Sequence, residues 1–198
     1  MAKDTKERIL QEALIMFAER GYEGTNMREL AQALGFGKSA LYKHYASKEE
    51  IWNSLLDQIE DRYSQQFGSG GNPPRVPASC DDFLSMAKGM LDYALRDHQV
   101  KTARRILLTE QFHNQRARDL AAEHFLVRFD RVFAPLFEGL MNAGLIKQDD
   151  PQMLALEFSA PISALIMQCD RFPEQEDELV GRMHASMEHF VKVYGVGR

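Results

Sequence analysis

Residues 25–45, TNMRELAQALGFGKSALYKHY, decide the fold. Met27, Leu30, Ala31 and Leu34 recur at helical spacing and predict one buried stripe. Thr25 stands where a hydroxyl accepts a bond from a free N–H of the first turn, so it is the expected N-cap. Gly35 ends the segment, because only glycine takes the left-handed conformation without strain. A second short helix is expected from Lys38 to Tyr45, with Ala40, Leu41 and Tyr45 inward. Lys38, Ser39, Tyr42, Lys43 and His44 are then left facing outward.

Working outward, a longer helix is predicted on each side. Upstream, Thr5 to Arg20 carries Ile9, Ala13 and Phe17 at i, i+4, i+8, with Leu10 and Leu14 beside them. Asp4 and Glu7 are spaced as a capping box at its start, and Gly21 is its stop. Downstream, Ser47-Lys-Glu-Glu50 is another capping box. It opens a helix with Ile51, Leu55, Ile59 and Tyr63 at i+4 spacing.

Two short helices joined by a tight glycine-containing turn make a helix-turn-helix, whose second helix enters a major groove. The outward face of that helix holds donors, one aromatic and no acid. The chain as a whole has 24 Lys plus Arg and 29 Asp plus Glu, a net charge of -5. Residues 1–48 hold 8 basic and 6 acidic side chains, or +2, which leaves -7 for the remainder. A +2 head is too weakly basic to hold a polyanion by its field alone, so binding rests on placed contacts. An acid-free face on an acidic protein points to a polyanion opposite.

Residues Thr25, Leu30-Ala31, Gly35-Phe-Gly-Lys-Ser-Ala-Leu-Tyr-Lys-His-Tyr45 and Ser47-Lys-Glu-Glu50 together resemble the tetracycline-repressor (TetR) family of bacterial regulators. The resemblance covers about a quarter of the chain. It departs from the family at Gly37, where Ser or Thr is usual, and at Ser39, where Gly is frequent. The resemblance implies an all-α homodimer: an N-terminal three-helix DNA-binding head and a C-terminal helical body for ligand binding and dimerisation. It implies that Tyr42 and Lys48 contact phosphates and that Thr25 offers its hydroxyl to another. Arg28, Lys38, Ser39, Lys43 and His44 are the candidates for groove contacts.

The expected organisation is a head over 1–48, a connecting helix over 49–67, a Gly- and Pro-rich loop over 68–79 and a body over 80–198. Body helices are expected near 81–97, 100–113, 115–143, 151–171 and 176–194, with Pro135 and Pro161 inside two of them. The body is rich in Phe and Met, which fill cores and adaptable pockets alike. Met90, Tyr93, Phe112, His113, Phe129, Met167 and Gln168 are the candidate lining of an apolar ligand site with a few polar groups. The last two helices carry more apolar residues than one amphipathic face needs. Leu154, Phe158, Ile162, Leu165, Ile166, Met183, Met187 and Phe190 are accordingly expected at a dimer interface built as a four-helix bundle.

Other classes lack support. Cys80 and Cys169 have no partners at metal spacing and fit a reducing compartment. Glu110 and His113 form a single Glu-x-x-His, which chance explains. No nucleophile–base pair, phosphate loop or catalytic carboxylate pair is recognisable, so no catalytic residue, metal or cofactor is expected. No signal peptide or membrane span is read, and a cytoplasmic location is expected. The function expected is a transcriptional regulator, a repressor released from inverted-repeat operator DNA by a small apolar or amphipathic ligand. The rivals are a TetR-like DNA-binding protein answering to a protein partner and, below it, an all-helical enzyme or carrier.

Overall fold

A computed structural model describes residues 2–67 and 75–196, with backbone alone at 2, 3, 38, 65–67 and 126–130. Ten α-helices run along the described chain. They are α1 (Ala2–Arg20), α2 (Met27–Ala33), α3 (Lys38–Tyr42), α4 (Lys48–Phe67), α5 (Cys80–Arg96), α6 (His98–Glu110), α7 (Gln115–Ala122), α8 (Arg128–Asn142), α9 (Pro151–Arg171) and α10 (Glu176–Tyr194). Among the described residues the sole extended pairing is an antiparallel bridge between Ile146 and Gly195. The protein is all-α. Residues 68–74 of the expected loop lie outside the described residues.

The chain packs as two units. The first combines 1–66 with 102–121, and the second combines 67–101 with 122–198. Residues 102–121, expected in the body, pack with the head instead. The contacts that hold them there are specific. The Glu110 carboxylate accepts the Tyr22 N–H at 2.9 Å. The Arg116 guanidinium on α7 donates to the Asn53 carbonyl at 3.1 Å and pairs with Asp57 on α4.

In the first unit, Gly21 and Gly35 take φ of 71° and 70°, the left-handed values that end α1 and α2. Two expected caps move. α1 is already helical at Ala2, so Asp4 lies inside the first turn and does not cap it. The α2 cap is Asn26, not Thr25: the Asn26 side-chain oxygen accepts the N–H groups of Arg28 and Glu29 at 3.1 and 3.0 Å. Ser47 caps α4 as expected, accepting the Glu50 N–H at 3.1 Å, while the Glu50 carboxylate accepts the Ala46 N–H at 2.6 Å. The core of this unit is Ile9, Phe17, Leu30, Leu41, Ile51, Trp52, Leu55 and Leu56, each at most 2% exposed. Phe17 and Trp52 meet edge to face, 5.1 Å between centroids, and Tyr22 leans on both. Such aromatic pairs contribute about 0.5–1.5 kcal/mol each beyond area burial.

In the second unit, capping residues set most helix starts. Ser79 caps α5, Asp97 caps α6 and Asp150, followed by Pro151 in the first turn, caps α9. The helix expected over 115–143 is interrupted: Glu123–Val127 forms a π-helical turn between α7 and α8. Such a turn spaces its hydrogen bonds one residue wider and shifts the register of the helix that follows. The core is a stack of rings from Phe83, Phe133, Phe137, Phe158 and Phe190, with neighbouring centroids 5.0–6.0 Å apart. Tyr194 joins it at 4.8 Å from Phe190.

The dimer expectation changes here. Leu154, Phe158, Ile162, Leu165, Met183, Met187 and Phe190 are buried in this core at 0–9% exposure, and Ile166 packs against it. They face the protomer's own α5, α8, α9 and α10, so they are not the surface a second chain would meet. The apolar side chains that α9 does expose are Met153, Leu156 and Met167, at 48%, 52% and 45%, with Ala160 and Ala164 between them.

Candidate nucleic-acid interface

The geometry of the head follows from α3 and its flanks. Leu41 is fully buried and Tyr45 is 3% exposed, and these two side chains pin the segment to the rest of the unit. α3 is shorter than expected, ending at Tyr42, and His44 and Tyr45 continue as a turn whose N–H groups both reach the Leu41 carbonyl. Ser39, Tyr42 and Lys43 are exposed and His44 is half-buried. The side chain of Lys38 lies outside the described residues. Gly37 caps α3 with an extended backbone, φ -69° and ψ 149°, and no side-chain bond. No acid stands in the first turn of α3. The outcome is a patch of hydroxyl and phenol on a five-residue helix, continued by the ammonium of Lys43 and the half-buried imidazole of His44 in the turn after it. Arg28, on the neighbouring α2, is exposed.

Two of the expected DNA contacts are placed differently. Thr25 is 1% exposed and its hydroxyl donates to the Gly21 carbonyl at 3.0 Å. Its single proton is therefore committed within the turn, and a phosphate needs donors. Lys48 is half-buried. Its ammonium donates to the Tyr22 carbonyl at 2.8 Å, lies 4.1 Å from the Tyr22 ring centroid and stands 4.0 Å from Glu23. Lys48 is thus first an anchor for the α1–α2 turn.

Tyr22 is the residue that reading the sequence missed. α6 holds its N–H through Glu110 and α4 holds its carbonyl through Lys48. Burial raises its phenol pKa, and the Glu49 and Glu23 carboxylates push it the same way. Burial likewise raises Tyr45, with a smaller opposing hydrogen bond from Ser54 and a further push from Glu50. Asn26 was missed as well, although Asn26 and Glu29 carry the spacing of an N-cap and its N3 residue. Glu29 instead pairs with Arg20 at 2.8 Å.

The candidate ligand residues fall in both units. Met90, Tyr93 and Gln168 are half-buried in the second unit, and Met167 is exposed there. Phe112 and His113 follow α6 in the first unit; Phe112 is 74% exposed and His113 is exposed. The side chain of Phe129 lies outside the described residues. Among the described residues no cluster of three or more His, Cys, Asp or Glu is arranged to hold a metal, and no helix is long and apolar enough to cross a membrane.

Comparison with known proteins fits this geometry. The family described as "Bacterial regulatory proteins, tetR family" matches residues 9–55, from α1 to early α4. The repressor KstR2 of Mycobacterium tuberculosis is 41% identical over 69 residues, 33% of this chain and 34% of that protein. The transcriptional regulator AcrR of Shigella flexneri is 29% identical over 119 residues, 57% of this chain and 50% of that protein. The chain thus spans half or less of these curated relatives. The solved SmeT–triclosan complex, of the Stenotrophomonas maltophilia repressor, superposes with a TM-score of 0.73 at 17% identity, covering 98% of this chain and 92% of that one. That likeness carries the fold across both units. Residues 9–55, which hold the helix-turn-helix, are thus similar to the tetracycline-repressor (TetR) family of bacterial regulatory proteins.

Proposed function

We propose that this chain is a sequence-specific DNA-binding transcriptional repressor. It acts in the cytoplasm as a homodimer on an inverted-repeat operator and leaves the DNA when a small apolar or amphipathic ligand binds. The observation that carries the reading is the face of α3. Leu41 and Tyr45 are buried beneath it, while Ser39, Tyr42 and Lys43 are presented outward with no acid in the helix. A five-residue helix pinned this firmly by its apolar side has no need of an acid-free outer face for folding. A duplex has use for one.

The homodimer rests on the outer face of α9 and α10. Met153, Leu156, Met167 and Val193 are 39–52% exposed there, and Gly181 and Ala185 are exposed on α10. Small residues among apolar ones let two helix pairs approach closely about a twofold axis. Such a dimer presents its two α3 helices about 34–36 Å apart, one turn of B-DNA. The ligand class is drawn from the relative: SmeT is solved with triclosan, a small apolar molecule. Any effector releases DNA only by its differential affinity for a conformation with the wrong head spacing.

A footprint of the purified protein on its own upstream DNA tests the reading. The expected result is an inverted-repeat protected site that Tyr42→Ala and Lys43→Ala abolish without unfolding the protein, and that an apolar compound displaces. Retained sequence-specific protection by both variants would overturn the assignment of α3. Protection insensitive to every small molecule would favour release by a protein partner.

A further inference from the structure

We infer that Lys6 and Arg8 on α1 are a second set of phosphate-binding cations, fixed at the two ends of α3. The inference rests on the DNA-binding reading above. The resemblance implied phosphate contacts for Tyr42, Lys48 and Thr25; the Thr25 hydroxyl proton goes to the Gly21 carbonyl, and one Lys48 N–H goes to the Tyr22 carbonyl. Arg20 is paired with Glu29. Three donor side chains of this unit thus each spend a bond within the protein.

The structure places other cations there. The Lys6 ammonium lies 5.1 Å from the centroid of Tyr45, the residue that closes the turn after α3. The Arg8 guanidinium lies 5.7 Å from the centroid of Phe36, the residue just before the α3 cap. Both side chains are exposed, and neither has a salt bridge among the described residues, although Asp4 and Glu7 share their helix. A ring contact holds a long basic side chain in place and leaves its N–H donors directed to solvent. Lys6 and Arg8 thus bracket the segment that would enter the groove. Phosphates line both walls of a major groove, so cations at both ends of a groove-bound helix meet one strand each. Phosphate contacts of this kind fix position and carry no sequence information.

The salt dependence of binding tests this. Affinity is measured by fluorescence anisotropy across a potassium chloride series, on the footprinted operator and on an unrelated duplex of equal length. The proteins are wild type, Lys6→Gln, Arg8→Gln, the double variant, Lys6→Arg and Arg20→Gln. Each phosphate neutralised by the protein contributes about 0.9 to the slope of log K against log salt, so a dimer that neutralises two fewer has a slope flatter by about 1.8. The expected result is that flattening for each single variant and about twice it for the double, with affinity reduced by a similar factor on both duplexes. Lys6→Arg and Arg20→Gln should keep the wild-type slope. An unchanged slope in the single variants, with or without a lower melting temperature, overturns the inference and leaves a packing role. Should wild type bind every duplex alike, the regulator reading fails while the slope still tests these two cations. If it binds no duplex, both fall.

Discussion

Glu110→Ala tests how the end of α6 holds the α1–α2 turn. Glu110 is 7% exposed, and its carboxylate accepts the Tyr22 N–H at 2.9 Å. Removing the acceptor leaves that N–H unpaired in a half-buried turn, which costs about 1–3 kcal/mol. Losing one buried methylene adds about 0.8 kcal/mol, and relief of a desolvated carboxylate returns part of it. Glu110→Gln keeps the accepting oxygen and should cost under about 1 kcal/mol. Gly21 sharpens the test. It sits at φ 71°, and a Cβ there would stand 2.9 Å from the same Glu110 oxygen. In the wild-type background Gly21→Ala therefore carries left-handed strain of about 1–2 kcal/mol and also displaces the carboxylate from Tyr22. With Glu110→Ala already present, only the strain remains. A double-mutant cycle should give a coupling of about 1–2 kcal/mol, measured by urea unfolding. Trp52, the only tryptophan, lies 5.2 Å from the Tyr22 ring and reports this region by fluorescence. Additivity within about 0.5 kcal/mol would refute the claim that one oxygen links the two residues.

Three other outcomes follow from the same geometry. Lys48→Gln should lower the stability reported by Trp52 by about 1 kcal/mol, through loss of the charged bond to the Tyr22 carbonyl, and change the salt slope of DNA binding less than Lys6→Gln does. The Tyr194 hydroxyl donates to Glu157, which with burial holds its pKa at about 12, against about 10 in the unfolded chain. Its contribution is fully present below about pH 10 and is lost as pH rises through about 12, so Tyr194→Phe should flatten alkaline unfolding there, followed by phenolate absorbance. Leu156→Glu should give a folded monomer by sedimentation, with DNA affinity sharply reduced; an intact dimer would move the interface off α9.

The head was legible because its signals are local and agree with one another. Gly21 and Gly35 were readable as stops, and Leu41 and Tyr45 as inward residues, from a stretch in which spacing leaves few alternatives. What failed there was decided by contacts distant in sequence. Nothing near Lys48 announces that its ammonium will reach back to Tyr22, 26 positions away, nor that Glu110 will meet the other side of that peptide from 88 positions on. The cap moved by one residue because Asn26 and Thr25 are both competent, and Thr25 back-bonds to Gly21 instead. The π-helical turn at Glu123–Val127 contains neither glycine nor proline, so the sequence carried no breaker to mark it.

The apolar surplus on α9 divides between two faces of the helix. α9 does hold more apolar residues than one stripe requires, and in the proposed homodimer the excess meets a second chain. A helix buried on one side by its own chain must offer the other side to any second chain. The bulky Leu154, Phe158, Ile162 and Leu165 go inward because the ring stack of the core needs volume and shape. The outward series of Met153, Leu156, Ala160, Ala164 and Met167 alternates adaptable side chains with small ones. That suits a close helix-to-helix approach between identical surfaces, where a residue i that meets residue j is matched by j meeting i across the axis. A stable interface needs about 800 Å² from each partner, more than one helix stripe supplies, so in the proposed homodimer α10 contributes beside it. Gly181, Ala185 and Val193 are the exposed residues of α10 that fit this requirement. Bulk at Ala185 should then weaken the dimer as much as charge at Leu156, without touching the core beneath.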